Sequence, residues 1–152
     1  MQSVTFLDIL PHAVIQEEMR RARALCAACS VEAPSGDCEG TPVSILEAGA
    51  SGLPVISTRH AGIPDVVAHG QTGLLVEEHD VDGMAAHMIS LIREPALAKR
   101  LGSSAREHIK SNFSMQQSID RLWSVIESCI AVNKQGQILS QARSQVLRNV
   151  SS

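Results

Sequence analysis

Residues 37–67 read DCEGTPVSILEAGASGLPVISTRHAGIPDVV, and this stretch carries the fold class. It opens in a turn-rich loop, 33–39, containing Pro34, Ser35, Gly36 and Asp37. The loop leaves an apolar run at 25–31 and feeds straight into a helix. Thr41 is placed to cap that helix, with Pro42 at its first position, where a fixed φ and a missing N–H cost nothing. Gly52 falls just past the last turn, where a left-handed cap is wanted. A strand at 54–58 follows, then a tight loop at 59–64. The first N–H groups of a helix lack internal partners, and the helix dipole adds partial positive charge there. Such a junction suits a phosphate or diphosphate. Gly40 removes side-chain bulk where a ligand would meet the backbone.

Outward from this segment the same alternation continues. Residues 4–9 read as a short apolar strand, 11–22 as a helix opened by Pro11, and 25–31 as a second, buried strand. A short helix around 65–69 leads to a strand at 73–76. Strands separated by helices imply parallel pairing through crossovers, an α/β sheet. After Asp80 the chain turns helical, with Pro95 opening a second helix and Ser114 capping a third. In the third, Ile119, Leu122, Trp123, Ile126 and Ile130 recur at the spacing of one buried stripe. Gly136 interrupts that third helix, and two regions follow: an α/β domain over 1–132 and a polar, weakly amphipathic tail over 133–152.

Composition narrows the function classes. The 152 residues are 44% hydrophobic and 19% charged, a globular balance, with a net charge of −3 that makes no electrostatic case for nucleic acid. Phe6, Phe113 and Trp123 are the whole aromatic set, too few for a base-stacking platform. No apolar run has membrane-spanning length and no signal-peptide pattern opens the chain, so a cytoplasmic location is expected. Cys26 and Cys29 have redox-motif spacing but lie in the apolar run, on opposite faces of a strand; buried, reduced thiols are expected. His12, His69, His79, His87 and His108 are scattered without metal-ligand spacing.

Two carboxylates bracket the helix start. Glu39 stands just before it and Glu47 about five residues inside, roughly 8 Å along the axis at 1.5 Å per residue. A nucleotide sugar presents sugar hydroxyls, diphosphate and ribose hydroxyls at comparable separation. Taken alone, the pair also fits one Glu at a positive helix end and another in solvent. The wider frame goes further. E-G-x-P-x-x-x-L-E-A-x-A-x-G-x-P-V-I, continuing through Ala61-Gly62-Ile63-Pro64-Asp65-Val66-Val67 and Gly70-Gln71-Thr72-Gly73-Leu74-Leu75-Val76, strongly resembles the E-x7-E signature of the group 1 retaining glycosyltransferases with the GT-B fold. The resemblance runs from about residue 4 to residue 132.

That resemblance implies two Rossmann-like domains across a cleft, the C-terminal one holding a nucleotide diphosphate sugar as donor substrate, with no metal or other cofactor. It implies that Glu39 meets the donor sugar near its reacting centre. Backbone N–H groups around Gly40, Thr41, Pro42, Val43 and Ser44 approach sugar and diphosphate, and Glu47 binds the ribose hydroxyls. The expected activity is transfer of a hexose, with retention, to a glycan or lipid-linked acceptor. Three departures qualify it. Ala61-Gly62 stands where the family often has Gly-Gly, and Gly49 where it often has Met. The family's first strands, its diphosphate-neutralising Arg and Lys, and its N-terminal acceptor domain have no counterpart here. In the family strand order 3-2-1-4-5-6, residues 4–9, 25–31, 54–58 and 73–76 become the third to sixth strands. The isolated chain is therefore expected to be inactive alone, needing the acceptor domain or an upstream polypeptide. The alternatives are a non-catalytic fragment or separately encoded subunit and, less favoured, a nucleotide-sugar epimerase. Arg59 and His60, in the loop after a strand, are further candidates for donor contact, Arg59 as a partial substitute for the basic pair. Asp65 reads as a dipole partner of a short helix. The tail's Lys134, Arg143 and Arg148 are few for membrane contact, and packing on the acceptor domain is favoured over it.

Overall fold

Four consecutive buried residues, Val55–Thr58, form the strand that the rest of the chain is built around. In the computed structural model, which describes residues 4–30 and 40–132, this strand (β2) is flanked on both sides in parallel. Leu25–Ala27 (β1) pairs along one edge, Leu25 with Val55 through Ala27 with Ser57. Gly73–Val76 (β3) pairs along the other, Val55 with Gly73 through Thr58 with Val76. A strand can follow its neighbour in parallel only through a crossover. Helix α2 (Val43–Ser51) makes the first and the short α3 (Ile63–Val66) lies in the second; α1 (His12–Arg21) precedes β1. Helices α4 (Val81–Arg93), α5 (Pro95–Asn112) and α6 (Met115–Val132) complete the order. The chain divides into two compact units, residues 1–112 and 113–152.

Alternation along β2 gives the first unit two apolar layers. Ile56 packs with Leu74, Leu91, Ala98 and Leu101, which brings α4 and α5 onto one face. Val55 lines a small internal gap with Ile45, Val66, Val67 and Ile109. The α/β parallel arrangement expected from the sequence is the one observed, and 73–76 is a strand with the expected bounds. Gly52 caps α2 at φ 79°, accepting the left-handed geometry that a Cβ would oppose. Asp80 caps α4, its Oδ1 accepting from the Gly83 N–H at 2.8 Å. Ser114 and Gln117 form a reciprocal capping box at the start of α6: Ser114 Oγ accepts from Gln117 N–H and Gln117 Oε1 accepts from Ser114 N–H, both at 3.2 Å. The outer edge of β3 is covered, since Leu75 N–H donates to His69 Nδ1 at 2.9 Å and Gly70 N–H to the Gly73 carbonyl at 2.8 Å.

Several expectations are corrected. Residues 4–9 are not a strand; Phe6 is 93% and Ile9 94% exposed, and Asp8 turns out of extended geometry at φ 54°. An apolar run becomes a strand only beside a ladder partner, and this one has none. The second strand is shorter than 25–31, ending at Ala27, because hydroxyls from β2 take over the bonding of residues 27–29, as described below. Cys26 is exposed, as is Cys129, so the thiols are not the buried set expected; Cys29 is half-buried. Local loss of water still pushes the Cys26 thiol up from its usual pKa, which keeps it protonated and poorly nucleophilic. The N-cap of α2 is Pro42 rather than Thr41, and no side chain caps it. The short helix begins at Ile63 rather than Asp65, leaving Asp65 in its first turn. The α6 stripe is not buried: Ile119 is 46% and Leu122 62% exposed, while Trp123, Ile126 and Ile130 are half-buried. Helical spacing predicts a face, and burial requires a second apolar surface. The loop 33–39, Gly136 and the tail 133–152 lie outside the described residues.

Candidate functional site

The C-terminal ends of β1 and β2 and the start of α2 form one neighbourhood. Two side chains that sequence reasoning passed over build it. Ser57, fully buried, donates from Oγ to the Ala27 carbonyl at 2.6 Å. Thr58, 4% exposed, donates from Oγ1 to the Cys29 carbonyl at 2.6 Å and accepts from Cys29 N–H at 3.0 Å. These bonds continue the β1–β2 association beyond the ladder and hold the chain as it enters the loop that precedes α2. The signal was a Ser-Thr pair ending an otherwise apolar strand. Glu39, the expected catalytic carboxylate, lies in that loop, outside the described residues.

At the far end of the loop, Gly40 is exposed, and a Cβ built on it would meet nothing within 4 Å. Space for close approach of a ligand is therefore present at the position where the sequence places it. Pro42 enters α2 at φ −59° and its carbonyl accepts from Ile45 N–H at 3.0 Å. Thr41, Pro42 and Ser44 are half-buried and Val43 is exposed. The loop after β2 leans on this start. Gly62 N–H donates to the Gly40 carbonyl at 3.0 Å, and a Cβ at Gly62 would strike Thr41 Oγ1. The preceding Ala61 has φ 43°, a left-handed geometry in a residue with a Cβ. The two loops thus form one ridge beside the N–H groups of α2.

Glu47 lies one turn beyond Val43 on the same helix face. Its side chain is one-third exposed, and Oε1 is 2.8 Å from Nε2 of His12, the first residue of α1. The other two candidates sit apart from this ridge in their bonding. Arg59 N–H donates to the Val76 carbonyl at 2.7 Å, and its Nε is 3.3 Å from Glu77 Oε1. His60 is 3% exposed, with Nδ1 2.8 Å from Glu78 Oε1. Its ring is turned into the protein. Arg59-His60 after β2 pair in order with Glu77-Glu78 after β3, a pattern legible only once the strands are known to be adjacent. Among the described residues no group of acids, histidines and cysteines is arranged to hold a metal ion.

The sequence model of the family described as glycosyl transferases group 1 matches residues 2–108. The chain belongs to the group 1 glycosyl transferases. Its relatives include the colanic acid biosynthesis glycosyltransferase WcaL of Salmonella typhimurium, 40% identical over 93 residues, which are 60% of this chain and 23% of the relative. A GDP-mannose-dependent phosphatidylinositol monomannoside mannosyltransferase of Corynebacterium glutamicum is 30% identical over 84% of this chain and 33% of its own length. Among solved structures, Anabaena Alr3699/HepE in complex with UDP-glucose superposes with a TM-score of 0.63 at 19% identity, over 74% of this chain and 29% of the other. The chain thus spans about a quarter to a third of the curated relatives named here. The sheet of this glycosyl transferase chain is of the Rossmann-like kind its solved neighbours share.

For such a chain the geometry offers three things: N–H groups at a helix start, an uncrowded glycine before it, and a carboxylate one turn further on. Together they can take up a group that is anionic at one end and rich in hydroxyls at the other.

Proposed function

We propose that this chain is the donor-binding part of a retaining hexosyltransferase that moves a hexose from a nucleotide diphosphate sugar to a glycan or lipid-linked acceptor. The observation that carries the reading is the ridge formed by Gly40 and Gly62 beside the start of α2, with Glu47, half-buried, one turn along the same helix. In this reading the diphosphate lies against the N–H groups of Gly40, Thr41, Val43 and Ser44, with Pro42 fixing the helix entry between them, and the ribose hydroxyls donate to Glu47. Glu39 acts at the sugar's reacting centre. Support for a nucleotide sugar comes from relatives whose names specify GDP-mannose dependence and a neighbour solved with UDP-glucose. Retention and the role of Glu39 rest on the E-x7-E frame. Catalysis in such a site is chiefly positioning plus stabilisation of charge on the leaving diphosphate. Arg59 is already engaged by Glu77, so it is a weak substitute for a dedicated basic pair. In this reading an N-terminal acceptor domain or an upstream polypeptide supplies the acceptor site and that pair, and the 152 residues bind donor without transferring sugar on their own.

Calorimetry with UDP and GDP tests the reading. Glu47→Ala should weaken the preferred nucleotide about ten- to hundredfold, the loss of hydrogen bonds to a charged acceptor. In the longer enzyme, Glu39→Ala should remove turnover and spare nucleotide affinity. Unchanged affinity in the Glu47 variant would remove the ribose assignment. Steady sugar transfer by the 152-residue chain, absent in its Glu39→Ala form, would refute its dependence on the rest.

A further inference from the structure

His12 and Glu47 are 35 residues apart in sequence, yet Nε2 and Oε1 meet at 2.8 Å. The pair joins the first residue of α1 to the second turn of α2. It is not a packing contact, since the His12 side chain is 61% exposed and that of Glu47 33%. A contact so exposed adds little to stability. Its consequence is geometric. A carboxylate oxygen can only accept, so Nε2 carries the proton. Glu47 has three side-chain torsions, and an unpartnered glutamate would spread over many rotamers, a freedom lost on binding. Anchored at Oε1, the carboxylate keeps one plane and one depth beside the helix, with Oε2 and the second lone pair of Oε1 still open to donors.

We infer that His12 is a positioning residue of the donor site: it holds the Glu47 carboxylate so that its two oxygens meet the two adjacent ribose hydroxyls of a nucleoside diphosphate. This rests on the reading of Glu47 as the ribose acceptor. The pair links the N-terminus of α1 to α2, so His12 acts on the site through Glu47. Exposure of His12 means that its replacement leaves the fold intact, so the effect is readable in binding alone.

The test compares UDP and GDP with their 2′,3′-dideoxy counterparts by calorimetry on the 152-residue chain and on His12→Ala, His12→Gln and Glu47→Ala. His12→Ala should lose about three- to tenfold in affinity for the ribonucleotide, the size of one hydrogen bond, and nothing for the dideoxy form. His12→Gln, which can donate from its amide nitrogen, should recover most of that loss. Glu47→Ala should abolish the preference for the ribonucleotide altogether. An unchanged ribose preference in His12→Ala, or an equal loss on both nucleotide forms, overturns the role of His12 while Glu47 keeps its own. If Glu47→Ala retains the preference, or the unaltered chain shows none or binds neither nucleotide, the ribose assignment fails and the positioning role fails with it.

Discussion

At Ala61 the backbone takes φ 43°, a conformation that costs a residue with a Cβ about 1–2 kcal/mol and costs glycine almost nothing. The next residue, Gly62, has the opposite constraint, because a Cβ there would strike Thr41 Oγ1. Ala61→Gly should therefore raise stability by up to about 1 kcal/mol, the relief of strain less the extra freedom of glycine when unfolded. Gly62→Ala should lower it and loosen the ridge beside α2. Thermal melting of the two variants checks this, and an Ala61→Gly protein that melts no higher than the parent would show that the loop is unstrained. The departure from Gly-Gly at this point was visible in the sequence; its backbone cost was not. Gly40 and Glu47 were equally visible, since helix starts announce themselves through local chemistry. Ser57, Thr58 and His12 were not, because each acts on a partner about 30 residues or more away: Ala27, Cys29 and Glu47. Sequence spacing carries no information about such meetings until the register of β1 on β2 is known.

Between elements, the tightest seat is that of α5 on the end of α2. A Cβ at Gly102 would lie against the Gly52 carbonyl, with its carbon only 2.9 Å away and Pro54 Cδ at 3.2 Å. That neighbour is backbone, in a left-handed cap, and cannot swing aside. At Gly49 a Cβ would meet Ile109 Cγ1 at 2.8 Å, part of a buried β-branched side chain that must shift but is not backbone. The two glycines should therefore respond differently to alanine. Gly102→Ala should cost about 1–3 kcal/mol or more, as overpacking does when the backbone must shift. Gly49→Ala gains about 1 kcal/mol of helix propensity against an overpacking cost of about 1–3 kcal/mol, leaving a smaller net loss than at Gly102. Urea unfolding separates them, and equal losses would mean that the α2–α5 contact is not set by Gly102. Element starts were legible wherever a local signal marked them: Pro11, Asp80, Pro95 and Ser114 all stand at the expected helix openings. Elements defined by a distant partner were not. Residues 4–9 have the composition of a strand and no neighbour to make them one, and the α6 stripe has the spacing of a core face without burial.

Across the first unit as a whole, the sheet is unequal at its two edges. β3 is closed by His69 and the turn at Gly70, whereas β1 is bonded to β2 along one side only, among the described residues. In a parallel ladder alternate residues point their N–H and C=O groups to opposite sides. Leu25 N–H donates to the Pro54 carbonyl at 3.0 Å, so the groups of Cys26 point away from β2, to the open edge. A largely apolar groove of about 480 Å³ reaches the first residue of β1, lined by Ile15, Met19, Ala24, Leu25 and Leu53 together with Glu18 and Arg21. An unprotected edge with an apolar flank is a template for pairing with another chain. Residues 4–9, expected from the sequence to be a strand of this sheet, pair with no strand, so among the described residues the edge remains. The 152-residue chain under reducing conditions should therefore elute from size exclusion as a dimer or larger, in proportion to concentration. Cys26→Pro removes the outward N–H and leaves the Leu25 bond to β2 in place, since proline is tolerated on an edge strand. It should shift the protein toward monomer. A parent chain that stays monomeric, with the Cys26 amide strongly protected from hydrogen exchange, would mean that the edge is already closed from within.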